Sequence, residues 1–291
     1  MTTLVQAWTA ARDRLKAAGV DTPVIDARLL LEAAAGATRA DLLNDPHREL
    51  TDEQAQALDA HVVRRERREP IAHILGRKGF WSVMLSVGPG VLTPRPDTEL
   101  VVILALERLA AAARARVLDL GVGSGAILLA VLAERPAARG LGVDISEEAL
   151  AVARENASNL GLAPRAALLR GDWTMGLEDD GLDLVVANPP YIPTAEIMTL
   201  DPEVRQFEPL AALDGGPDGL EAFRRLAPEV LRVLKPGASF VVEIGHDQGA
   251  AVTELFRLAG AADLELRQDL GGHDRVVAGR KKPLGIASDN R

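Results

Sequence analysis

The stretch "VLDLGVGSGAILLA", residues 117–130, decides the fold. A short apolar run closes at Leu120. Glycines follow at 121, 123 and 125, and a second apolar run begins at Ala126. This is the pattern of a buried strand, a tight turn and a buried helix. Glycines at such a turn let the backbone bend sharply and let a ligand approach the helix N-terminus. Gly121, Val122, Gly123, Ser124 and Gly125 are therefore candidate ligand-binding residues. The spacing also satisfies G-x-G-x-x-A through Ala126, so the motif alone leaves a nicotinamide cofactor open.

Working outward, short apolar runs alternate with helical stretches. Strands are expected at 116–120, 140–145, 166–171, 182–188, 239–244, 263–268 and 274–279. Such alternation predicts an α/β fold with a doubly wound, seven-stranded, mostly parallel sheet. Only "DLGGH" joins the last two runs, which is too short for a parallel crossover. One strand should therefore run antiparallel to the rest. In open α/β sheets ligands bind at the carboxyl ends of the strands. Asp144 ends the second strand, where a carboxylate accepts from both hydroxyls of a ribose. Asp172 and Trp173 follow the third, where an acid accepts from an exocyclic amine and an indole covers a base. Together these residues suggest a nucleoside across one rim.

Residues 1–75 carry no strand-like alternation and predict a small all-α N-terminal domain. Thr22 before Pro23 and Thr51 before Asp52 are expected caps, and Gly36 an expected stop. Arg64, Arg65, Arg67 and Arg68 alternate with Glu66 and Glu69, and we read them as a solvated helix end. Residues 76–95 predict a β-hairpin linker turning around Gly88-Pro89-Gly90. An α/β domain carrying the glycine turn is then expected over 96–280, opening on a helix with Asp97 as its candidate cap, with a mobile tail at 281–291.

Composition narrows the function classes. With 33 basic and 42 acidic residues the net charge is −9, without the basic footprint of a protein that holds nucleic acid through many phosphates. There are no cysteines, which excludes disulfides, thiolate metal sites and a cysteine nucleophile. No apolar run approaches the ~18 residues of a membrane span, and the N-terminus lacks a signal-type core. A cytoplasmic protein is expected, with neither membrane nor nucleic-acid partner and no metal.

The fourth strand ends in "DLVVANPPYIP", residues 183–193, which holds the only tyrosine. Pro189 and Pro190 fix extended geometry after Asn188. The Asn188 side-chain oxygen and the Pro189 carbonyl are suited to accept both hydrogens of a planar NH₂, while Tyr191 packs on its plane. Asn188, Pro189, Pro190 and Tyr191 are the candidate substrate-binding residues, with Asn188, Pro189 and Tyr191 acting in catalysis. Residues 192–217 form a long connection, expected to be a substrate-facing lid.

"EPIAHILGRKGFWS", "VLTPRPDTELVV", "VLDLGVGSGAILLA", "DLVVANPPYIP", "EPLAALDGGPDGL" and "HDRVVAGR" stand in the order of the landmarks of one family. The chain resembles the HemK/PrmC group, the release factor glutamine N5-methyltransferases of class I. The resemblance covers nearly the whole chain. Val122 stands where that loop often has Thr, and Asp97 where Glu is commoner. The resemblance implies S-adenosylmethionine as cofactor, on Gly121–Gly125, Asp144, Trp173 and Asn188. It implies the Gln side chain of the Gly-Gly-Gln loop of peptide chain release factors as substrate, on Asn188–Tyr191, with the helical domain docking the factor. Phe80 and Arg95 lie in matched segments that the resemblance places near the cofactor. A DNA adenine-N6 methyltransferase is the alternative, since its target is also a conjugated NH₂.

Overall fold

The computed structural model describes residues 2–110 and 114–283; most of the expected tail, 284–291, lies outside the described residues. Two compact units are present. One comprises Met1–Arg77 with Asp201–Phe207, the other Lys78–Leu200 with Glu208–Arg291.

In the first unit, helices α1 (Leu4–Ala17), α2 (Pro23–Ala35), α3 (Arg39–Asn44), α4 (Asp52–Glu66) and α5 (Ile71–Leu75) enclose Leu4, Leu15, Leu30, Leu31, Leu58 and Val62. Thr51 caps α4 in a reciprocal box with Gln54, which satisfies two otherwise orphaned donors. Pro23 opens α2 and Gly36 closes it at φ 58°. Thr22, the expected cap of α2, instead turns its hydroxyl to Asp26.

The arginine cluster is not a solvated helix end, and this corrects the expectation. Arg65 is buried, with Nε 2.7 Å from Asp26 Oδ2 and Nη1 3.0 Å from Glu203 Oε1. Arg68 pairs with the same Glu203, and Arg64 pairs with Glu69. Only Arg67 of the four is fully exposed. Buried guanidinium groups need paired carboxylates because desolvation is costly, and Asp26 and Glu203 meet that need.

In the second unit, β1 (Arg77–Phe80) and β2 (Val83–Ser86) form a two-stranded sheet. Its turn is Trp81-Ser82, with Trp81 at φ 51°, and not the expected Gly88-Pro89-Gly90. Asp97 lies in a 3₁₀ turn, Pro96–Thr98, so it does not cap the next helix, α6 (Glu99–Arg108). The main sheet is built from β3 (Arg116–Leu120), β4 (Arg139–Asp144), β5 (Ala166–Arg170), β6 (Leu182–Ala187), β7 (Leu234–Glu243), β8 (Ala261–Gln268) and β9 (Asp274–Lys281). The strand order is β5-β4-β3-β6-β7-β9-β8. β9 runs antiparallel to both β7 and β8, and the other pairings are parallel.

In chain order between these strands come α7 (Ala126–Glu134), α8 (Glu147–Asn159), α10 (Glu221–Val233) and α11 (Gly249–Leu258), together with α9 (Pro202–Phe207), which belongs to the first unit. The core packs Phe223, Leu226 and Val230 of α10 and Phe256 of α11 against Leu118, Val185, Phe240 and Val242 of the sheet. Phe240 and Phe256 stack with ring centroids 4.2 Å apart. The apolar run of β6 is buried at all but its second position, as expected for a central strand covered on both faces.

Gly142 of β4 sets the height of the glycine turn. A Cβ there would lie 2.7 Å from both Leu168 Cδ2 and Val122 Cγ2. Overpacking of this kind costs about 1–3 kcal/mol. Gly142→Ala should lose about that much stability in urea unfolding; an unchanged midpoint would contradict this packing.

Candidate active site

The parallel pairing of β3 with β4 and β6 brings the ends of these strands to one rim. There a cavity of about 380 Å³ opens, within the range of small-molecule sites. Gly121, Val122, Gly123 and Ser124 line it, with Asp144, Asp172 and Trp173 from the next two strand ends. Asn188 and Pro190 reach it from the end of β6, and Thr98 and Arg95 from the segment before α6.

The glycine turn is held by the sheet itself. Gly121 N and Val122 N both donate to Val143 O, and Gly123 N donates to Asp144 Oδ2 at 2.9 Å. Gly121 has φ 73°, which strongly favours glycine. Gly125 serves differently. It does not line the cavity, and a Cβ there would meet Leu129 Cδ1 at 2.8 Å, so it permits close packing at the start of α7.

Trp173 adopts φ 52°, a left-handed conformation rare for a bulky residue. Its successor, Thr174, fixes it there. Thr174 is fully buried and donates through N and Oγ1 to Glu229 of α10. Asp172 accepts from Arg225 of the same helix at 2.9 Å.

One buried acid, Asp119, lines the cavity, and another, Glu208, pairs with the lining residue Arg95. Asp119 accepts from Leu128 N through Oδ2, while Oδ1 is buried with no hydrogen-bond partner. Burial, with the nearby Asp144 charge adding, pushes its carboxyl up to about 7. Glu208 is also buried; burial raises its pKa, and Arg95 Nη2 at 2.7 Å partly offsets this. At Asn188–Tyr191, the candidate acceptor turn, Asn188 Nδ2 donates to Thr98 Oγ1 at 3.3 Å, and the Tyr191 hydroxyl to Glu243 Oε1 at 3.3 Å.

Two domain families match the chain. A PrmC N-terminal domain matches residues 6–76, and a methyltransferase domain matches residues 112–272. The release factor glutamine methyltransferase of Caulobacter vibrioides is 64% identical over 97% of this chain and 98% of its own length. The chain belongs to the release factor glutamine methyltransferase family. Proteins of that name from Rhodospirillum rubrum and Moorella thermoacetica are 46% and 45% identical, each over 94% of this chain and over 83% and 96% of their own lengths. Among solved structures, a ribosomal protein L11 methylase from Lactobacillus delbrueckii subsp. bulgaricus superposes with a TM-score of 0.48 at 22% identity, covering 64% of this chain and 80% of its own.

Within this family member the structure gathers most of the sequence-selected residues at one cavity. Phe80 is not among them. It is 2% exposed at the end of β1 and does not line the cavity, so its place is in the packing of the second unit. Pro189 and Tyr191 also lie outside the lining, with Tyr191 packed against the sheet core. Sequence reasoning passed over Asp119, Thr98, Glu208, Arg225 and Glu243. It also left unexplained the glycines of "DGGPDG". A Cβ on Gly215 would lie 2.8 Å from Tyr191 Cα, and one on Gly219 would lie 2.4 Å from Tyr191 O. These glycines form the bed on which the acceptor turn rests.

The 192–217 connection is not an open loop. Ile192 N donates to Leu213 O and Gly215 N to Ile192 O, which closes its base. Between these points stand a 3₁₀ turn, Thr194–Thr199, and α9.

The raised pKa of Asp119 has a consequence for stability. The folded state holds a proton that an ordinary aspartate has already lost, so stability falls as pH rises from the usual aspartate range through about 7. Asp119→Asn keeps an acceptor for Leu128 N and removes the charge. Its Tm relative to wild type should increase between about pH 5 and about pH 8 in calorimetry; the same difference at both would contradict the assignment.

Proposed function

We propose that this protein transfers the methyl group of S-adenosylmethionine to the side-chain nitrogen N5 of the glutamine in the Gly-Gly-Gln motif of peptide chain release factors. The observation that carries the reading is the meeting of two features at one cavity: the glycine turn after β3, and Asn188 and Pro190 of the turn after β6. Family membership at 64% identity over 97% of the chain supports the same substrate class.

The residues present fit the cofactor. Gly121 leaves the backbone open to a ligand, Asp144 offers a carboxylate for ribose hydroxyls, and Trp173 a flat face for a base. Asp119 Oδ1, buried and without a partner, supplies an acceptor for a ligand donor. Asp172 is positioned for an exocyclic amine, and Arg225, now on its Oδ2, shares it. Arg95 lines the same cavity from its pairing with Glu208. When bound, S-adenosylmethionine supplies a methyl group on a positively charged sulfur.

The task of this chain's own residues is to make an amide nitrogen act as a nucleophile. Its lone pair is delocalised, so orientation and electrostatics must do what basicity does not. Asn188 Oδ1 and the Pro189 carbonyl accept the two hydrogens, and Pro190 holds that carbonyl in place. These acceptors strengthen as the nitrogen gains positive charge, so they bind the transition state better than the ground state. Tyr191 packs on the plane of the amide. Positioning in near-attack geometry contributes about 7–11 kcal/mol in favourable cases. The proton departs after methylation, so no strong base is required. In this reading the helical unit docks the release factor, and the segment 192–217 faces the substrate.

The test uses labelled S-adenosylmethionine with a release factor, its Gln-to-Ala loop variant and duplex DNA. Label should enter the wild-type factor alone; label on DNA would favour the adenine reading and overturn this one. Asn188→Ala should lower kcat by roughly 10²–10³-fold with folding intact, and an unchanged kcat would remove Asn188 from the mechanism.

A further inference from the structure

One buried amide of the second unit has no part in the proposed mechanism. Gln248 stands at the N-cap of α11, yet its side chain makes no capping hydrogen bond. Glutamine is not among the residues preferred at that position, and this one is 7% exposed. Its side chain turns to other loops. Oε1 accepts from Gly245 N at 2.9 Å, and Nε2 donates to Tyr191 O at 2.9 Å and to Gly219 O at 3.2 Å. Tyr191 and Gly219 are the two ends of the connection from β6 to α10, and Gly245 lies in the turn that follows β7. One side chain therefore joins all three points.

The partners settle which way the amide faces. A primary amide has two hydrogens to give on one side and only lone pairs on the other. Here every partner is a main-chain group, one N–H and two C=O, whose polarity is fixed. The opposite orientation would set an NH₂ against Gly245 N–H and an oxygen against two carbonyls, which leaves buried groups unpaired. The backbone of Gln248 is pinned as well, its N donating to Gly245 O at 3.1 Å and its O accepting from Val252 N at 2.9 Å. The space around the amide is closed: a Cβ on Gly219 would lie 2.6 Å from Nε2, and one on Gly245 would lie 3.0 Å from Oε1.

The acceptor turn needs such a partner. Pro189 and Pro190 have no N–H, so two successive residues after Asn188 can donate to nothing. Ile192 is tied by main-chain bonds, its N donating to Leu213 O and its O accepting from Gly215 N. The carbonyl one residue earlier, Tyr191 O, takes its hydrogen from a side chain. Because proline fixes φ at 189 and 190, few soft torsions separate that carbonyl from the Pro189 carbonyl, and a shift at Tyr191 is carried back along the turn. We propose that Gln248 is a positioning residue for methyl transfer: by holding Tyr191 O it fixes the Pro189 carbonyl and Pro190 where the substrate amide is gripped.

This role rests on the proposed reading of Asn188–Tyr191 as the acceptor turn, and the experiment separates the two. Tyr191 is the only tyrosine in the chain, so protein labelled with ¹³C at the tyrosine carbonyl gives one resonance that reports on the clasp. Gln248→Met keeps the length of the side chain and removes its donors and acceptor. In that variant the resonance should move upfield as the carbonyl loses its donor. Its kcat toward a release factor should fall about tenfold or more, because misplacement on the order of 1 Å is costly in near-attack geometry. KM for the factor and the affinity for S-adenosylmethionine should each stay within about threefold, and the latter reports that the fold is intact. Val252→Ala opens a cavity in the same helix, where Val252 is fully buried. It should lower Tm while leaving the resonance and kcat at their wild-type values. Should Gln248→Met fail to fold, Gln248→Glu replaces it, since it is isosteric, keeps an acceptor for Gly245 N and has at most one hydrogen to donate; it too should be slower than wild type. A folded variant at 248 with wild-type kcat, beside a slowed Asn188→Ala enzyme, would overturn the role. An unmoved carbonyl resonance in Gln248→Met, or an equal loss of kcat in Val252→Ala, would do the same. A fully active Asn188→Ala enzyme would instead overturn the acceptor reading beneath it.

Discussion

The parallel pairing of β3 on both of its edges is the constraint on which the site depends. Pairing with β4 and β6 fixes three carboxyl ends at one rim before any loop is considered. The glycine turn then continues the sheet. Gly121 N and Val122 N both use Val143 O, the last carbonyl of β4 before Asp144. Asp144 closes the arrangement by accepting from Gly123 N with one oxygen and from Ser146 N with the other. The loop that lines the cavity is therefore hydrogen-bonded into the strand beside it. The cost of ordering its glycines is met by hydrogen bonds that already belong to the fold.

A second constraint is electrostatic. Asp119, Glu208 and Glu243 are all buried, and burial raises the pKa of each. Carboxylates are rarely withdrawn from water unless something compensates. Arg95 does so for Glu208, and Arg275 in part for Glu243. Asp119 has a single backbone donor and an idle oxygen. A methyl donor carrying positive charge, and an amide nitrogen that becomes positive as it is methylated, are complementary to such surroundings. Burying these acids costs stability, and in the proposed reading Asp119, which lines the cavity, offsets charge arising there.

The sequence displayed the sheet well because the signals for it are local. The run around Gly121, Gly123 and Gly125 carries strand, turn and helix within fourteen letters, and "DLGGH" alone implies the antiparallel strand. Where partners are distant, the reading failed. Arg65 looked like a solvated charge because Asp26 lies 39 residues before it and Glu203 lies 138 residues after it. Thr98 is 90 residues from Asn188, and Glu243 is 52 from Tyr191, so no spacing rule joins them. The hairpin was misplaced for a different reason. Its turn uses Trp81 at positive φ without a glycine, while the glycine-proline signal at 88–90 marks a hydrogen-bonded turn after β2 that joins no strands. Phe80, which the family resemblance places near the cofactor, is buried and does not line the cavity.

The same distinction accounts for the segment after the acceptor turn. A long connection between a strand and a helix suggests slack, yet its two ends are fastened together through Ile192, Leu213 and Gly215. Gln248 adds a clasp, donating from Nε2 to both Tyr191 O and Gly219 O. With Gly215 and Gly219 too close to Tyr191 to carry side chains, the acceptor turn is backed by bare backbone at those two positions and by the Gln248 side chain. What happens between Ile192 and Leu213 is thereby separated from the geometry of the turn. The chain can leave the second unit at Leu200, contribute α9 and Glu203 to the helical unit, and return at Glu208 to meet Arg95. Closing the base of the excursion is what lets one segment serve two compact units without loosening the residues that would grip the substrate.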